Sequence, residues 1–144
     1  PSYGPEMRGG TANLCVILSD KKISSPIVTK FDTVIALNQQ SLDKFEGSVK
    51  PGGLLIYDPN GIINPPTRTD IQICKIDAIN VAAQVGNSKV YNMAVMGAFL
   101  KMKPIILPEN IDKGLAKCIP ARYADLISLN KAAIEEGMNA VEVL

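Results

Sequence analysis

The 144-residue chain is 47% hydrophobic and 20% charged, with a formal net charge of +1, and this composition is typical of one globular domain with a sizeable core. Its balanced charge, without a clustered basic excess, excludes nucleic acid and acidic membrane surfaces as expected partners. The apolar runs are too short to span a bilayer and no basic-then-apolar signal peptide opens the chain, so the sequence predicts a soluble, cytoplasmic protein.

The side chains that most often carry metal and acid–base chemistry are sparse. Histidine is absent, which excludes histidine triads, histidine metal sites and a histidine general base. Cys15, Cys74 and Cys118 are far apart and form no C-x-x-C motif. This chain alone is therefore not expected to bind zinc or an iron–sulfur cluster. Cys15 and Cys74 lie in apolar runs and are predicted to be buried, inert thiols.

The opening stretch, PSYGPEMRGGTAN, surrounds Glu6 and Arg8 with glycines and prolines. Glycine lets a ligand approach the main chain closely, and the arginine guanidinium is a rigid fork of donors suited to phosphate or carboxylate. Glu6 would hold that fork by pairing with it. The alternative is a tight connection closed by an ion pair within the loop, and no GxGxxG or phosphate-loop pattern decides between the two.

Apolar runs predict strands at ANLCVILS (12–19), TVIALN (33–38), GLLIYD (53–58) and IQICKID (71–77). Unbroken apolar strands are typical of a parallel sheet covered by helices. The run 33–38 is expected to be buried on both faces, whereas 71–77 alternates enough to lie at or near an edge. A short helix in SLDKFEGSV (41–49) would complete a right-handed βαβ unit.

Two further helices follow the strands. The helix in DAINVAAQVG (77–86) is expected to end at Gly86, and Asn87 or Ser88 is expected to cap the next one. That next helix runs through KVYNMAVMGAFLKM (89–102) and is apolar almost all round. We expect it to lie deep in the core or against a partner.

The last predicted helix runs from Arg122 to Glu136 and is amphipathic, with Asn130 inside its apolar arc. Asn130 and Asn92 are both expected to make satisfied packing contacts, as buried amides do. Together these elements predict an α/β fold with three α/β/α layers in a single domain, 1–144.

Polar side chains in LNQQS (37–41) lie where a strand gives way to a helix. Ligands of open α/β sheets collect at the carboxyl ends of the strands, so Asn38 and Gln39, with Gln40, are candidates for binding a ligand or a neighbouring subunit. The alternative is simply a polar start of the helix. No serine, threonine or lysine lies in a motif that would activate it as a nucleophile.

Several motifs, in order, carry a resemblance to a known family. They are SYGPEMRGGTANLCVILS, ISSPIV, VIALNQQSLDKF and VKPGGLLIYD, and GNSKVYNMAVMGAFL and LNKAAIEEG extend the match over nearly the whole chain. The sequence resembles the gamma subunit, or gamma domain, of 2-oxoacid:ferredoxin oxidoreductases. RGGTAN and LNQQSLDKF are most similar to the 2-oxoglutarate type rather than the pyruvate type.

The resemblance implies a complex that decarboxylates a 2-oxoacid on thiamine diphosphate, passes electrons through iron–sulfur clusters to ferredoxin and releases an acyl-CoA. The thiamine-binding and iron–sulfur subunits would hold those groups. The gamma domain, a Rossmann-like unit with a mostly parallel sheet, would pack on them and help shape the coenzyme A side. Matched residue by residue, the family's signature loop, which would face the assembled active site, consists of Tyr3, Gly4, Pro5, Glu6, Arg8, Gly9 and Gly10. Asn38 and Gln39 would lie on the same coenzyme A side or at a subunit interface.

One departure from the family pattern matters. The family's domain normally begins with a glycine-rich strand–turn–helix of the GxGGQG kind, which this chain lacks, so the domain is expected to be N-terminally incomplete, with its first βα unit missing. A member specific for pyruvate, branched-chain oxoacids or indolepyruvate is an alternative, as are a stand-alone nucleotide- or CoA-binding module and a purely structural subunit. The isolated chain is not expected to be active, and its apolar helix predicts a homodimer or tight capture by partner subunits.

Overall fold

The computed structural model describes residues 12–25 and 27–144. The elements in chain order are β1 (Phe31–Ala36), α1 (Gln39–Phe45), β2 (Val49–Tyr57), β3 (Gln72–Lys75), α2 (Ala78–Gln84), α3 (Tyr91–Met102), α4 (Pro108–Cys118), α5 (Asp125–Ala140) and β4 (Glu142–Val143). Strands β1, β2 and β3 are parallel and adjacent in that order, and β4 pairs antiparallel with β3.

Strand β2 contributes to two hydrophobic cores. Leu54 and Ile56 pack with buried residues of α2 and α3, whereas Leu55 and Tyr57, which point to the opposite face of the sheet, pack with Leu42 of α1. The side chains of β2 point alternately to the two faces of the sheet, so this one strand contributes to the core on each face. Helices cover the sheet on both sides, which confirms the predicted three-layer α/β/α fold.

The predicted strand over 12–19 is wrong. This segment is extended without forming a strand, apart from an isolated bridge at Asn13, and Leu14 and Leu18 are about 70% exposed. Cys15, predicted to be buried, is exposed as well. The apolar composition favours a strand, but β-structure also requires a neighbour to pair with, and no strand among the described residues pairs with this segment.

Strand β1 differs from the prediction in its burial. Val34 and Ala36 are buried, but Ile35 is 40% exposed and Leu37, just beyond the strand, is 41% exposed. The expectation that 33–38 is buried on both faces is therefore wrong. The cause is position, because β1 is an outer strand of the described sheet and only its α1-facing side chains enter a core.

The crossover from β1 to β2 is parallel, as predicted, but its boundaries differ. Helix α1 ends at Phe45, where the prediction continued to residue 49, and a 3₁₀ turn follows at Glu46–Ser48. Strand β2 already begins at Val49, before the predicted start at Gly53, and it includes Gly52. Gly52 adopts a φ of +73°, and the pairing register with β1 shifts at this point, because the turn forms a bulge within the strand.

The middle of the chain follows the prediction closely. Helix α2 is followed by Gly86 with a φ of +89°, the left-handed conformation expected after a helix end. The Asn87 side chain accepts a hydrogen bond from the Lys89 backbone and caps a short 3₁₀ turn that leads into α3. Helix α3 is covered by α2, α4, α5 and the sheet, which confirms the core location.

The last third contains features that the sequence did not reveal. Helix α4 and the short strand β4 were not predicted, and α5 begins at Asp125 and continues to Ala140. Tyr123, which falls within the predicted last helix, lies in a 3₁₀ turn and is 48% exposed. Asn92 is exposed, so its expected buried packing is wrong. Asn130 is partly buried, and its amide donates to the Leu126 carbonyl.

Across the described residues, no helix is both long enough and apolar enough to cross a membrane.

Candidate functional site at the carboxyl edge of the sheet

Polar residues follow all three parallel strands. Asn38 and Gln39 come after β1, Asp58 and Asn60 after β2, and Asp77 after β3. Because parallel strands end at the same edge of a sheet, these side chains gather at the edge where ligands of α/β proteins bind.

Asn38 is committed to the start of α1. Its backbone is extended, and its side-chain oxygen accepts a hydrogen bond of 2.8 Å from the Ser41 backbone nitrogen. This is the usual geometry of a helix N-cap, in which a side chain satisfies a backbone donor that has no intrahelical partner. For Asn38 the structure therefore supports the second alternative from the sequence, a polar residue that caps the start of the helix, over ligand binding.

Gln39 attaches the loop after β2 to the first turn of α1. Its Oε1 atom accepts hydrogen bonds of 2.8 Å from the backbone nitrogens of both Ile63 and Asn64. Its Nε2 atom donates to the Asn64 carbonyl at 3.3 Å and to Asp43 Oδ1 at 2.7 Å. These four hydrogen bonds use both donor and both acceptor positions of the amide within the chain. Gln39 therefore positions a loop at the carboxyl edge. The same loop holds the Ile63 side chain 86% exposed.

Asp58 is the buried charge of this edge. Only 1% of the residue is exposed. Its Oδ1 atom accepts hydrogen bonds of 2.9 Å from the backbone and side-chain nitrogens of Asn60. Its Oδ2 atom is buried and accepts no hydrogen bond from the residues that the structure describes. Burying a carboxylate costs free energy unless hydrogen-bond donors surround it. The residues around Asp58 are therefore held in a defined arrangement.

The phenol of Tyr91, at the start of α3, is one of those neighbours. Burial raises the pKa of Tyr91, and the adjacent Asp58 carboxylate raises it further. Both causes favour the protonated phenol, since ionisation would bury a second negative charge beside the first. Tyr91 therefore remains a neutral phenol next to Asp58, and the two residues connect the end of β2 to α3.

Asn60 bridges two carboxylates. Its Nδ2 atom donates to Asp58 Oδ1 at 2.9 Å and to Asp77 Oδ1 at 2.8 Å. The same Asp77 oxygen accepts from the Asn80 backbone nitrogen at 2.9 Å and caps α2. One amide thus joins the ends of β2 and β3 and separates two like charges.

Gly61 allows the turn after β2 to lie against the end of β1. A Cβ atom at this position would overlap the carbonyl oxygen of Leu37 and also contact the Asn38 backbone. This close backbone approach requires glycine, and it brings the loop held by Gln39 next to α1.

The resulting edge is rich in hydrogen-bond acceptors. Asp58 and Asp77 carry the charge there, and among the described residues no group of three His, Cys, Asp or Glu side chains is arranged to hold a metal ion. Cys74 lies in β3 and is buried, and burial raises the pKa of its thiol, while Cys118 is exposed at the end of α4. An iron–sulfur cluster, which needs several thiolates at one place, does not fit these residues.

The sequence predicted part of this site. Tyr3, Gly4, Glu6, Arg8, Gly9 and Gly10 lie outside the described residues, so the predicted signature loop remains a prediction. Asn38 and Gln39 lie at the predicted edge, but their contacts described here are within the chain. Sequence reasoning missed Asp58, Asn60 and Asp77. These residues could have been found from the sequence, because a polar residue directly follows each apolar strand.

A shallow groove lies elsewhere, between α2 and α5. Val85 and Leu129 form its apolar floor, and Asp125 and Glu136 contribute carboxylates. It shares no lining residue with the carboxyl edge. The groove and the edge are therefore separate features.

Comparison with known proteins identifies the family. The model of the family described as pyruvate ferredoxin/flavodoxin oxidoreductase matches residues 1–140. The chain belongs to this oxidoreductase family. The match confirms the resemblance drawn from the sequence motifs, and it includes the opening loop.

Individual members of the oxidoreductase family show similar partial matches. Ketoisovalerate oxidoreductase subunit VorA of Methanothermobacter marburgensis is 29% identical over 137 residues, covering 95% of this chain but 28% of VorA. 2-Oxoglutarate synthase subunit KorC of Methanocaldococcus jannaschii is 31% identical over 121 residues, covering 83% of this chain and 65% of KorC. This chain thus spans less than two thirds of these relatives.

A solved structure of the same kind shares the fold. The gamma subunit of a keto/oxoacid ferredoxin oxidoreductase from Geobacter sulfurreducens aligns with a TM-score of 0.66 and 25% identity, covering 76% of this chain and 63% of that subunit. The α/β architecture derived above is therefore that of an oxidoreductase gamma subunit.

Proposed function

We propose that this chain is the gamma subunit, or gamma domain, of a 2-oxoacid:ferredoxin oxidoreductase located in the cytoplasm. The assembled enzyme converts a 2-oxoacid to an acyl-CoA and reduces ferredoxin. The observation that carries the proposal is the family match over residues 1–140, which extends beyond a shared fold. The relatives KorC and VorA are named as subunits of oxoacid enzymes.

The chemical inventory supports an accessory rather than a self-sufficient role. The sequence has no histidine and three widely separated cysteines, and the polar groups of the carboxyl edge are largely engaged in capping and bridging. Thiamine diphosphate and the iron–sulfur clusters are accordingly assigned to other subunits. This chain contributes a preassembled surface that helps shape the coenzyme A side.

We propose 2-oxoglutarate as the substrate of the complex, on the basis of the RGGTAN and LNQQSLDKF motifs. The relatives support this choice only in part, since KorC is named for 2-oxoglutarate and VorA for ketoisovalerate at similar identity. The substrate pocket is expected to lie mainly in the thiamine-binding subunits.

Reconstitution tests the proposal. The chain is co-expressed with the thiamine-binding and iron–sulfur subunits of the same organism, and purified by a tag on the gamma chain. We expect a stoichiometric complex that reduces a viologen dye only when both a 2-oxoacid and coenzyme A are present. A panel of 2-oxoglutarate, pyruvate, ketoisovalerate and indolepyruvate then identifies the substrate.

The isolated chain is the control for this experiment. We expect it to bind neither iron nor thiamine diphosphate and to show no dye reduction. Turnover by the chain alone would contradict the accessory role, and failure to associate with the other subunits would favour a stand-alone binding module. Sedimentation of the isolated chain also tests the predicted homodimer. That prediction was based on an uncovered apolar helix, and the structure weakens it because α3 is covered by the chain's own helices.

A further inference from the structure

Asn60 precedes Gly61, and this is the only Asn–Gly pair in the sequence. In such a pair the glycine backbone nitrogen can attack the asparagine side-chain carbonyl carbon, because glycine has no Cβ to obstruct the approach. The chemistry is spontaneous and needs no enzyme. It makes Asn60 a candidate for modification if the fold allows the attack.

The fold requires the glycine that makes the pair reactive. A side chain at position 61 would overlap the Leu37 carbonyl oxygen, where the end of β1 meets the turn after β2. The vulnerable dipeptide is therefore a consequence of close backbone packing at the carboxyl edge.

The same fold restrains both reacting groups. Both donor positions of the Asn60 amide are used, one for Asp58 and one for Asp77, at 2.9 and 2.8 Å. The attacking nitrogen of Gly61 donates to the Asp58 carbonyl at 3.2 Å. The attack requires the Gly61 amide to leave its acceptor and the Asn60 side chain to turn away from both carboxylates.

We propose that Asn60 is a site of spontaneous deamidation whose rate is set by opening of the Asp58–Asn60–Asp77 network. The Gly61 nitrogen forms a bond to Asn60 Cγ, the Cγ–Nδ2 bond breaks, and the side-chain nitrogen leaves as ammonia after taking up the amide proton. Water then opens the cyclic imide at either carbonyl, giving aspartate or isoaspartate. No electron transfer is involved.

The product cannot restore the network. A carboxylate at position 60 has no hydrogen to donate to Asp58 or Asp77, and it places three negative charges where one amide separated two. Like charges at this distance repel, most strongly where Asp58 is buried. Deamidation therefore breaks the connection between the ends of β2 and β3.

The test measures modification at Asn60 by peptide mapping and mass spectrometry of the full chain, incubated at mildly alkaline pH. We expect Asn60 to be modified at least about tenfold more slowly in folded protein than in the same chain held unfolded in urea, since opening must break charge-assisted hydrogen bonds. Asn87, in the same samples, monitors ordinary asparagine reactivity. Equal rates in folded and unfolded chain would overturn the proposal.

A variant isolates the role of the network. Asp77→Ser keeps a side chain able to cap α2 but removes the carboxylate that holds the Asn60 amide, and we expect about tenfold faster modification at Asn60. Asp112→Ser removes another exposed carboxylate, one that pairs with Lys131 on α5, and should leave the rate at Asn60 unchanged. If Asp77→Ser stays folded by circular dichroism and shows the wild-type rate, the network does not control the reaction. If Asp77→Ser unfolds, the comparison of the rates in folded and unfolded wild-type chain alone tests whether the network controls the reaction.

Discussion

Gly97 on α3 and Gly137 on α5 each lie against the backbone of the other's helix. A Cβ atom at Gly97 would overlap the Ile134 carbonyl oxygen, and one at Gly137 would overlap the Ala94 carbonyl oxygen. The reciprocal arrangement lets the two helices cross with their backbones in contact. This crossing buries Ala133 and Ile134 against α3 and its surroundings.

We expect Gly97→Ala and Gly137→Ala each to lower the free energy of unfolding by about 1–3 kcal/mol, because the added methyl group forces the helices apart. Gly114→Ala is the matched control, since its Cβ would meet nothing within 4 Å in the helix α4. That change should raise stability by about 0.5–1 kcal/mol through helix propensity alone. Urea unfolding of the three variants measures the difference, and similar effects at all three positions would contradict the close crossing.

Gln39→Ala removes the side chain that holds the loop after β2. We expect it to lower the free energy of unfolding by about 1–2 kcal/mol, because several hydrogen bonds are lost at a partly exposed site. Hydrogen exchange at the Ile63 and Asn64 amides, the two donors to Gln39, should accelerate selectively. Gln40→Ala, an exposed neighbour, serves as the control, and unchanged exchange at both amides in Gln39→Ala would show that the loop is held by other contacts.

Tyr91→Phe tests the contact between α3 and the buried Asp58. At neutral pH the variant should be less stable by about 1–3 kcal/mol, because the buried Asp58 side chain then has an apolar ring beside it in place of a polar hydroxyl. The raised pKa of Tyr91 also predicts a pH effect. Stability from the protonated phenol is complete below the pKa of an unfolded tyrosine, about 10, and is lost as the pH rises through the higher folded value.

Wild-type protein should accordingly lose stability at alkaline pH more steeply than Tyr91→Phe. Urea unfolding from pH 8 to about 11 measures both curves. Parallel curves would mean that the phenol ionises as freely in the folded as in the unfolded chain.

Asp70→Asn tests the loop that leads into β3. A hydrogen bond from Arg68 lowers the pKa of Asp70, so the carboxylate contributes stability above its unfolded pKa, about 4, and loses it as the pH falls through the lower folded value. We expect the variant to show a flatter loss of stability in this acid range. Arg68 also donates to the Glu46 and Val49 carbonyls, so the loop should remain in place. Asp20→Asn is the control. An equal change in that variant would show that the effect comes from the altered net charge and not from the hydrogen bond with Arg68.

Arg8→Ala tests the opening loop in the assembled enzyme. If the guanidinium binds a phosphate or carboxylate of coenzyme A, the Michaelis constant for coenzyme A should rise by about 10- to 100-fold, since a charge-assisted hydrogen bond is lost. Arg8→Lys should rescue only in part, because a point charge does not reproduce a bidentate fork, and Glu6→Gln should have a smaller effect in the same direction. An altered melting temperature with an unchanged Michaelis constant would assign the loop a structural role.

Sequence reasoning succeeded where local composition determines burial. The runs that became β2 and β3 are buried on one or both faces, so their apolar residues indicate strands directly. The equally apolar run 12–19 failed, because pairing depends on a neighbour that composition does not specify. Helix α4 was missed because it is largely polar and contains Gly114, which weakens the helical pattern.

The candidate site was predictable in position more than in contacts. Asn38 and Gln39 could be placed at the carboxyl edge, since both follow an apolar strand. The partners of Gln39, the Ile63 and Asn64 backbone, lie far along the chain, and only the folded loop brings them together. The Asp58–Asn60–Asp77 network likewise depends on the pairing register of β2 and β3.

Strand β2 supplies consecutive residues to opposite cores, with Leu54 and Ile56 on one side and Leu55 and Tyr57 on the other. Neither helical layer can dissociate without exposing this shared strand to water. The two cores are therefore coupled thermodynamically, and denaturation should proceed as a single cooperative transition. A perturbation beneath α1 would consequently change hydrogen-exchange protection beneath α3, although the sheet lies between the two cores.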